Sequence, residues 1–94
     1  MKLNNKVAVI TGGAGGIGLA TARKFASEGA KIILWDIDSE NLERAAKEIS
    51  QITFTKYNVV NVTNLEEVQS QFEEIVHKMG SVDIMIANAG ITRD

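Results

Sequence analysis

Val7-Ala8-Val9-Ile10-Thr11-Gly12-Gly13-Ala14-Gly15-Gly16-Ile17-Gly18 decides the fold of this 94-residue chain. Its first four residues form a short, wholly apolar run, which suits a parallel strand buried on both faces. A glycine-rich turn follows. From Ile17 to Glu28 the pattern becomes helical, with Leu19, Ala22, Phe25 and Ala26 at core-facing spacings. Gly29 stands where a helix ends in a left-handed residue that needs no side chain.

Outward from this unit the pattern repeats. Ile32-Ile33-Leu34-Trp35 is a second apolar strand, stopped by Asp36. Asp38 or Ser39 can cap the next helix, whose Leu42, Ala45, Ala46 and Ile49 fall at i, i+3, i+4 and i+7. Phe54 to Val60 reads as a third strand, and its polar Thr55, Lys56, Tyr57 and Asn58 suit a sheet edge. Thr63 with Glu66, or Asn64 with Glu67, makes a capping box. The helix that follows carries Leu65, Val68, Phe72, Ile75, Val76 and Met79 as one apolar stripe, closed by Gly80. Ile84-Met85-Ile86-Ala87 is a fourth strand, leading to Asn88-Ala89-Gly90. Strictly alternating strands and helices imply an α/β chain with right-handed crossovers. The expectation is a parallel sheet of order 3-2-1-4 with flanking helices, the first half of a doubly wound fold.

A glycine turn between a strand and a helix suits a dinucleotide pyrophosphate. Glycines allow close backbone approach, and a helix N-terminus offers free N–H groups and partial positive charge. Asp36 ends the second strand eighteen residues after Gly18, about where a carboxylate meets the adenosine ribose in such folds. Asp38, in the following turn, reads as a solvated residue. No Lys-Ser or Lys-Thr follows the glycines, which excludes an ATP-type phosphate loop.

Composition narrows the classes further. A net charge of −2 and the lack of a dense basic run argue against a nucleic-acid surface. The sequence has no cysteine, so disulfides and thiolate metal sites are excluded. No His/Asp/Glu cluster has metal-ligand spacing, and His77, the one histidine, sits beside Lys78 off the apolar stripe. No run approaches the roughly 18 apolar residues of a membrane span, and the start of the chain lacks the pattern of a signal peptide. The expectations are a cytoplasmic protein, no membrane or nucleic-acid partner and no metal.

Thr11-Gly12-x-x-x-Gly16-Ile17-Gly18 resembles the glycine motif of short-chain dehydrogenases/reductases. Asn88-Ala89-Gly90 resembles the second signature of that family, and Asn61-Val62-Thr63 the segment bordering the adenine, where many members have Asp at the position of Asn61. The run from Val82 to Asp94 looks particularly like the 3-oxoacyl-[acyl-carrier-protein] reductase branch. The resemblance implies that residues 1–94 form one truncated dinucleotide-binding (Rossmann) domain. It implies NAD as cofactor, held by Gly12, Gly15, Gly16, Ile17, Gly18, Asp36, Asn61, Val62, Asn88, Ala89 and Gly90, and a brace of the sheet at Asp83. NAD is expected over NADP because Asp36 would repel a 2′-phosphate and no Arg or Lys follows it. NADP-using relatives often carry Arg at the position of Gly15.

The implied parent is an oxidoreductase passing hydride between nicotinamide and a small carbonyl or alcohol substrate, including a 3-oxoacyl thioester. The family's catalytic Ser and Tyr-x-x-x-Lys lie beyond the fourth strand. Tyr57 is the one tyrosine, and Asn61 stands four residues later where a lysine would be needed. No catalytic residue is therefore assigned, and the 94-residue chain alone is expected to be inactive. The alternatives are a non-catalytic nucleotide-binding or self-associating half-domain and, less favoured, an S-adenosylmethionine-dependent methyltransferase fragment. Strand four is expected to be an unguarded edge that drives homo-oligomer formation, weakened by Ile86→Lys.

Overall fold

A computed structural model of the chain describes residues 2–88. The apolar runs become β1 (Val7–Thr11), β2 (Lys31–Asp36), β3 (Thr55–Val59) and β4 (Ile84–Ala87). Between them lie α1 (Gly16–Ser27), α2 (Ser39–Ile49) and α3 (Leu65–Met79). All strand pairings are parallel, in the order β3-β2-β1-β4, as expected. Each element boundary lies within one or two residues of its expected place, the usual uncertainty at helix and strand ends.

The period-2 alternation of a strand explains why β1 and β2 are apolar throughout. Ala8, Ile10, Ile32 and Leu34 turn to the side covered by α1 and α2, where they meet Ala22, Ala26, Leu42, Ala45, Ala46 and Ile49. Val7, Val9, Ile33 and Trp35 turn to the opposite side with Val60 and Ile75. Two layers of helix on one sheet thus require apolar residues at successive positions of the central strands. Alanines at the α1 contact let that helix lie close to β1.

Of the candidate caps, Asp38 serves α2, its side chain accepting from Asn41 N–H at 3.1 Å. Asn64 serves α3, accepting from Glu67 N–H at 3.1 Å. The apolar stripe expected on α3 is corrected by the fold. Ile75 is buried and Val68 and Met79 pack beside it, but Leu65 is 76% exposed and Phe72 37%. Only the row Val68, Ile75, Met79 meets the sheet. Leu65 and Phe72 lie outside the cluster that this row joins.

Asp83 braces the sheet as expected. Its carboxylate accepts from Val7 N–H at 2.9 Å, and its own N–H donates to the Val7 carbonyl at 2.9 Å. This pair fixes the register of β4 on β1. Ile84 and Ile86 lean on the core beneath α1, while Met85 faces the other side and is 41% exposed. Ile86 is therefore partly a core residue, and Ile86→Lys would damage the fold along with any association. Met85 is the cleaner probe of that edge.

Arg23 of α1 forms a two-pronged ion pair with Glu48 of α2. The Arg23 hydrogen bonds hold the Glu48 carboxyl below its ordinary range. A carboxylate with a lowered folded pKa stabilises the fold above its unfolded pKa, and the contribution disappears as pH falls through the folded value. The pair is exposed, so its effect is small and screened by salt. Arg23→Gln should lower the melting temperature slightly at neutral pH in low salt. The difference should vanish in strong acid, as melts across a pH series would show; a constant offset at all pH values would rule the ion pair out as its cause.

Candidate functional site

The glycine loop follows β1 because the chain must reverse there to enter α1. Gly12 takes a positive φ of 67°, a conformation that β-carbons disfavour. The Gly13 N–H donates to the Trp35 carbonyl at 3.1 Å, and the Gly15 N–H returns to the Gly12 carbonyl at 3.1 Å. These bonds fold the loop onto the end of β2.

The glycines have different reasons for being there. A β-carbon on Gly18 would stand 2.0 Å from the Gly12 carbonyl oxygen, and one on Gly13 would stand 2.8 Å from a Leu34 methyl. Gly18 is needed by the fold itself, since its clash is with backbone, whereas a β-carbon at Gly13 would press first on the end of a side chain. Among the described residues, a β-carbon on Gly16 would meet nothing within 4 Å. Gly15 is nearly as free, its nearest neighbour being the Gly12 carbonyl oxygen at 3.6 Å. The fold therefore leaves open space above the first residue of α1.

The start of α1 also lacks the devices that close the other helices. Gly15 occupies its N-cap with no side-chain hydrogen bond, and no acidic residue lies in its first turn. By contrast α2 and α3 are capped by Asp38 and Asn64 and carry Glu40, Glu66 and Glu67 in their first turns. The first N–H groups of a helix have no intrahelical acceptor. At α1 they face the open side with Ile17, which is 76% exposed.

Asp36 closes the site at the end of β2. Its carboxylate accepts from Ala14 N–H at 3.1 Å, from Ile37 N–H at 2.7 Å and from Asp38 N–H at 3.4 Å. The same carboxylate thus ties the glycine loop to the turn after β2. Ile37, beside it, is 69% exposed, a large apolar side chain held at the rim of the site. The sequence reading missed Ile37; an apolar residue directly after the strand-ending acid was the available signal.

On the α3 side, Asn61 builds its own turn: its Oδ1 accepts from Thr63 N–H at 3.0 Å and from Thr63 Oγ1 at 2.7 Å. Its amide nitrogen makes no hydrogen bond among the described residues. Val62 is half-buried against the cluster of Val7, Val9, Ile33, Trp35, Val60 and Ile75. Asn88 donates its backbone N–H to Thr11 Oγ1 at 2.9 Å, while its side-chain Nδ2 is buried without a partner among the described residues. Ala89 and Gly90 lie outside the described residues. The Trp35 indole N–H is likewise buried and unpaired among the described residues, on the α3 side of the sheet. Among the described residues no group of His, Asp and Glu is placed to hold a metal ion. No helix among them is long and apolar enough to cross a membrane.

Comparison with known proteins gives these positions a context. The sequence profile of the family described as short chain dehydrogenase matches residues 6–94. The chain is 45% identical over 96 residues to a 3-oxoacyl-[acyl-carrier-protein] reductase of Thermotoga maritima, covering all of this chain and 39% of that relative. It is 42% identical over 91 residues to galactitol 2-dehydrogenase of Agrobacterium fabrum, covering 97% of this chain and 35% of the relative. Among solved structures, NAD+-bound xylitol dehydrogenase superposes with a TM-score of 0.87 at 36% identity, over 90% of this chain and 33% of that one. L-sorbose reductase of Gluconobacter frateurii, complexed with NADPH and L-sorbose, superposes with a TM-score of 0.89 at 36% identity, over 100% of this chain and 37% of the other. The chain thus spans about two fifths of the length of the first of these relatives. With the sheet order, the glycine loop and the profile in agreement, the chain belongs to the short-chain dehydrogenase family.

Proposed function

We propose that this chain is the NAD(H)-binding portion of an oxidoreductase that passes hydride between nicotinamide and a carbonyl or alcohol substrate, in the 3-oxoacyl thioester class. The observation that carries the reading is the open space at Gly16 above an uncapped α1 N-terminus. A β-carbon would intrude where nothing in the fold requires its absence, and the helix end is left to an external anion. In this reading Gly12, Gly15, Gly16, Ile17 and Gly18 receive the pyrophosphate and Asp36 receives the ribose hydroxyls. Ile37, Asn61 and Val62 border the adenine, and Asn88 contacts the cofactor, with Ala89 and Gly90 assigned to it by the family pattern alone. The bound nicotinamide would supply or accept the hydride. Residues 1–94 act as one dinucleotide-binding domain. Family membership favours this reading over a methyltransferase. A cytoplasmic setting, where nicotinamide coenzymes circulate free, belongs to the same proposal.

NAD is the preferred cofactor. The Asp36 carboxylate would offer the ribose a charged hydrogen bond worth roughly 1.5–3 kcal/mol and would repel a 2′-phosphate. NAD should therefore bind about ten- to a hundredfold more tightly than NADP. Competition titration of the two nucleotides would measure this ratio, and equal affinities would remove Asp36 from the role.

Self-association through β4 is a second part of the proposal. The outer edge of β4 has no partner strand among the described residues, and Met85 beside it is exposed. Unguarded strand edges recruit other chains. The light-scattering mass should rise above one chain with concentration, and Met85→Lys should return it toward one. A wild-type mass of one chain at high concentration would overturn this.

A further inference from the structure

Between the glycine loop, α1 and α2 lies a cleft of ≈ 220 Å³ lined by Ala14, Leu19, Asn41, Arg44, Ala45 and Glu48. Asp36 belongs to the same side of the sheet. It continues the alternation of Ile32 and Leu34, which face α1 and α2. Its carboxylate holds the N–H of Ala14, so a single residue separates the ribose-side acid from this cleft.

Arg44 is fixed there by a short relay. Asn41 donates to Asp38 through its backbone N–H at 3.1 Å and through Nδ2 at 2.7 Å, and its Oδ1 accepts from Arg44 Nη2 at 2.5 Å. That acceptor is a neutral amide. Among the described residues Arg44 forms no ion pair, whereas Glu48, the one carboxylate lining the cleft, is engaged by both prongs of Arg23. Glu40, Glu43 and Lys47 share a separate groove with Arg44 on the outer surface of α2. The cleft therefore presents a positioned guanidinium with donors to spare and no carboxylate of its own left to neutralise it.

We propose that Arg44 is a specificity residue at the ribose end of the nucleotide, the cation that receives a phosphate carried on the adenosine 2′-oxygen, and that Asp36 opposes it. Nucleotide choice is then a balance between an acid and a base eight residues apart in sequence, the acid bonded to Ala14 and the base lining the same cleft as Ala14. Removing the charge of Asp36 admits the 2′-phosphate with no basic residue added. This rests on the placement of the ribose at Asp36 proposed above.

The test uses adenosine 5′-monophosphate and adenosine 2′,5′-bisphosphate, titrated calorimetrically into the chain and its variants, each first shown to be folded by circular dichroism. Asp36→Asn removes the charge and keeps an acceptor for the Ala14 N–H. It should raise affinity for the bisphosphate at least tenfold and make that binding sharply salt-dependent. Adding Arg44→Gln should abolish the gain while leaving monophosphate binding as it was, and Arg44→Lys should restore part of it. Bisphosphate affinity in the double variant equal to that of Asp36→Asn would overturn the role of Arg44 alone. Failure of the folded wild-type chain to bind the monophosphate would overturn the nucleotide reading, and this inference with it.

Discussion

Gly18→Ala should unfold the glycine turn, while Gly16→Ala should leave the fold intact and weaken nucleotide binding at least tenfold. At Gly18 the added methyl would stand 2.0 Å from the Gly12 carbonyl oxygen and 3.0 Å from the Gly13 α-carbon. Both are backbone atoms, and Gly12 is already held at positive φ, so neither side can yield cheaply. A clash of that kind belongs among the few single changes that cost more than about 4 kcal/mol. Small domains are stable by only about 5–15 kcal/mol, so much of the Gly18→Ala protein should be unfolded at room temperature. At Gly16 the methyl would enter open space, and alanine is the better helix former. The melting temperature should stay level or rise slightly, and NAD affinity should fall at least tenfold. Circular dichroism melts and calorimetric titration would give both numbers. If Gly16→Ala bound NAD as the wild type does, the phosphates would not sit at the start of α1.

Trp35→Ala should be the most damaging core change, and Trp35→Phe should cost far less. Trp35 is fully buried, between β1 and β3 in the register Thr11, Trp35, Asn58. Its truncation would lose a large apolar contact and leave a cavity, for about 3–5 kcal/mol. The indole N–H, however, is buried without an acceptor among the described residues, a penalty of about 1–3 kcal/mol. Phenylalanine removes that penalty along with part of the packing, and the two changes offset to within about 1.5 kcal/mol. Urea unfolding of the three proteins would measure the difference. A Phe variant as unstable as the Ala variant would mean that the indole nitrogen has a stabilising role.

The sequence by itself determined the order of elements, the parallel sheet and its 3-2-1-4 arrangement. These follow from signals held within a few residues: four-residue apolar runs, helical spacing in α2, glycines at chain reversals and acidic or amide caps. The glycine motif and Asp36 were legible for the same reason, since a strand, a tight turn and a helix start are contiguous in the chain. Docking decided what periodicity cannot. The apolar stripe on α3 is real as a pattern, yet only the row of Val68, Ile75 and Met79 reaches the sheet, because a helix of that width meets a flat surface along one line. The difference between Gly16 and Gly18 was equally invisible, since both are glycine in one motif and only the path of the Gly12 carbonyl separates them. The bond from Asp36 to Ala14 spans 22 residues, and Arg44 lines a cleft together with Ala14 of the loop because α2 packs beside α1. Sequence separation hides such meetings; side chains far apart along the chain come together only when buried apolar faces fix the helices against the sheet.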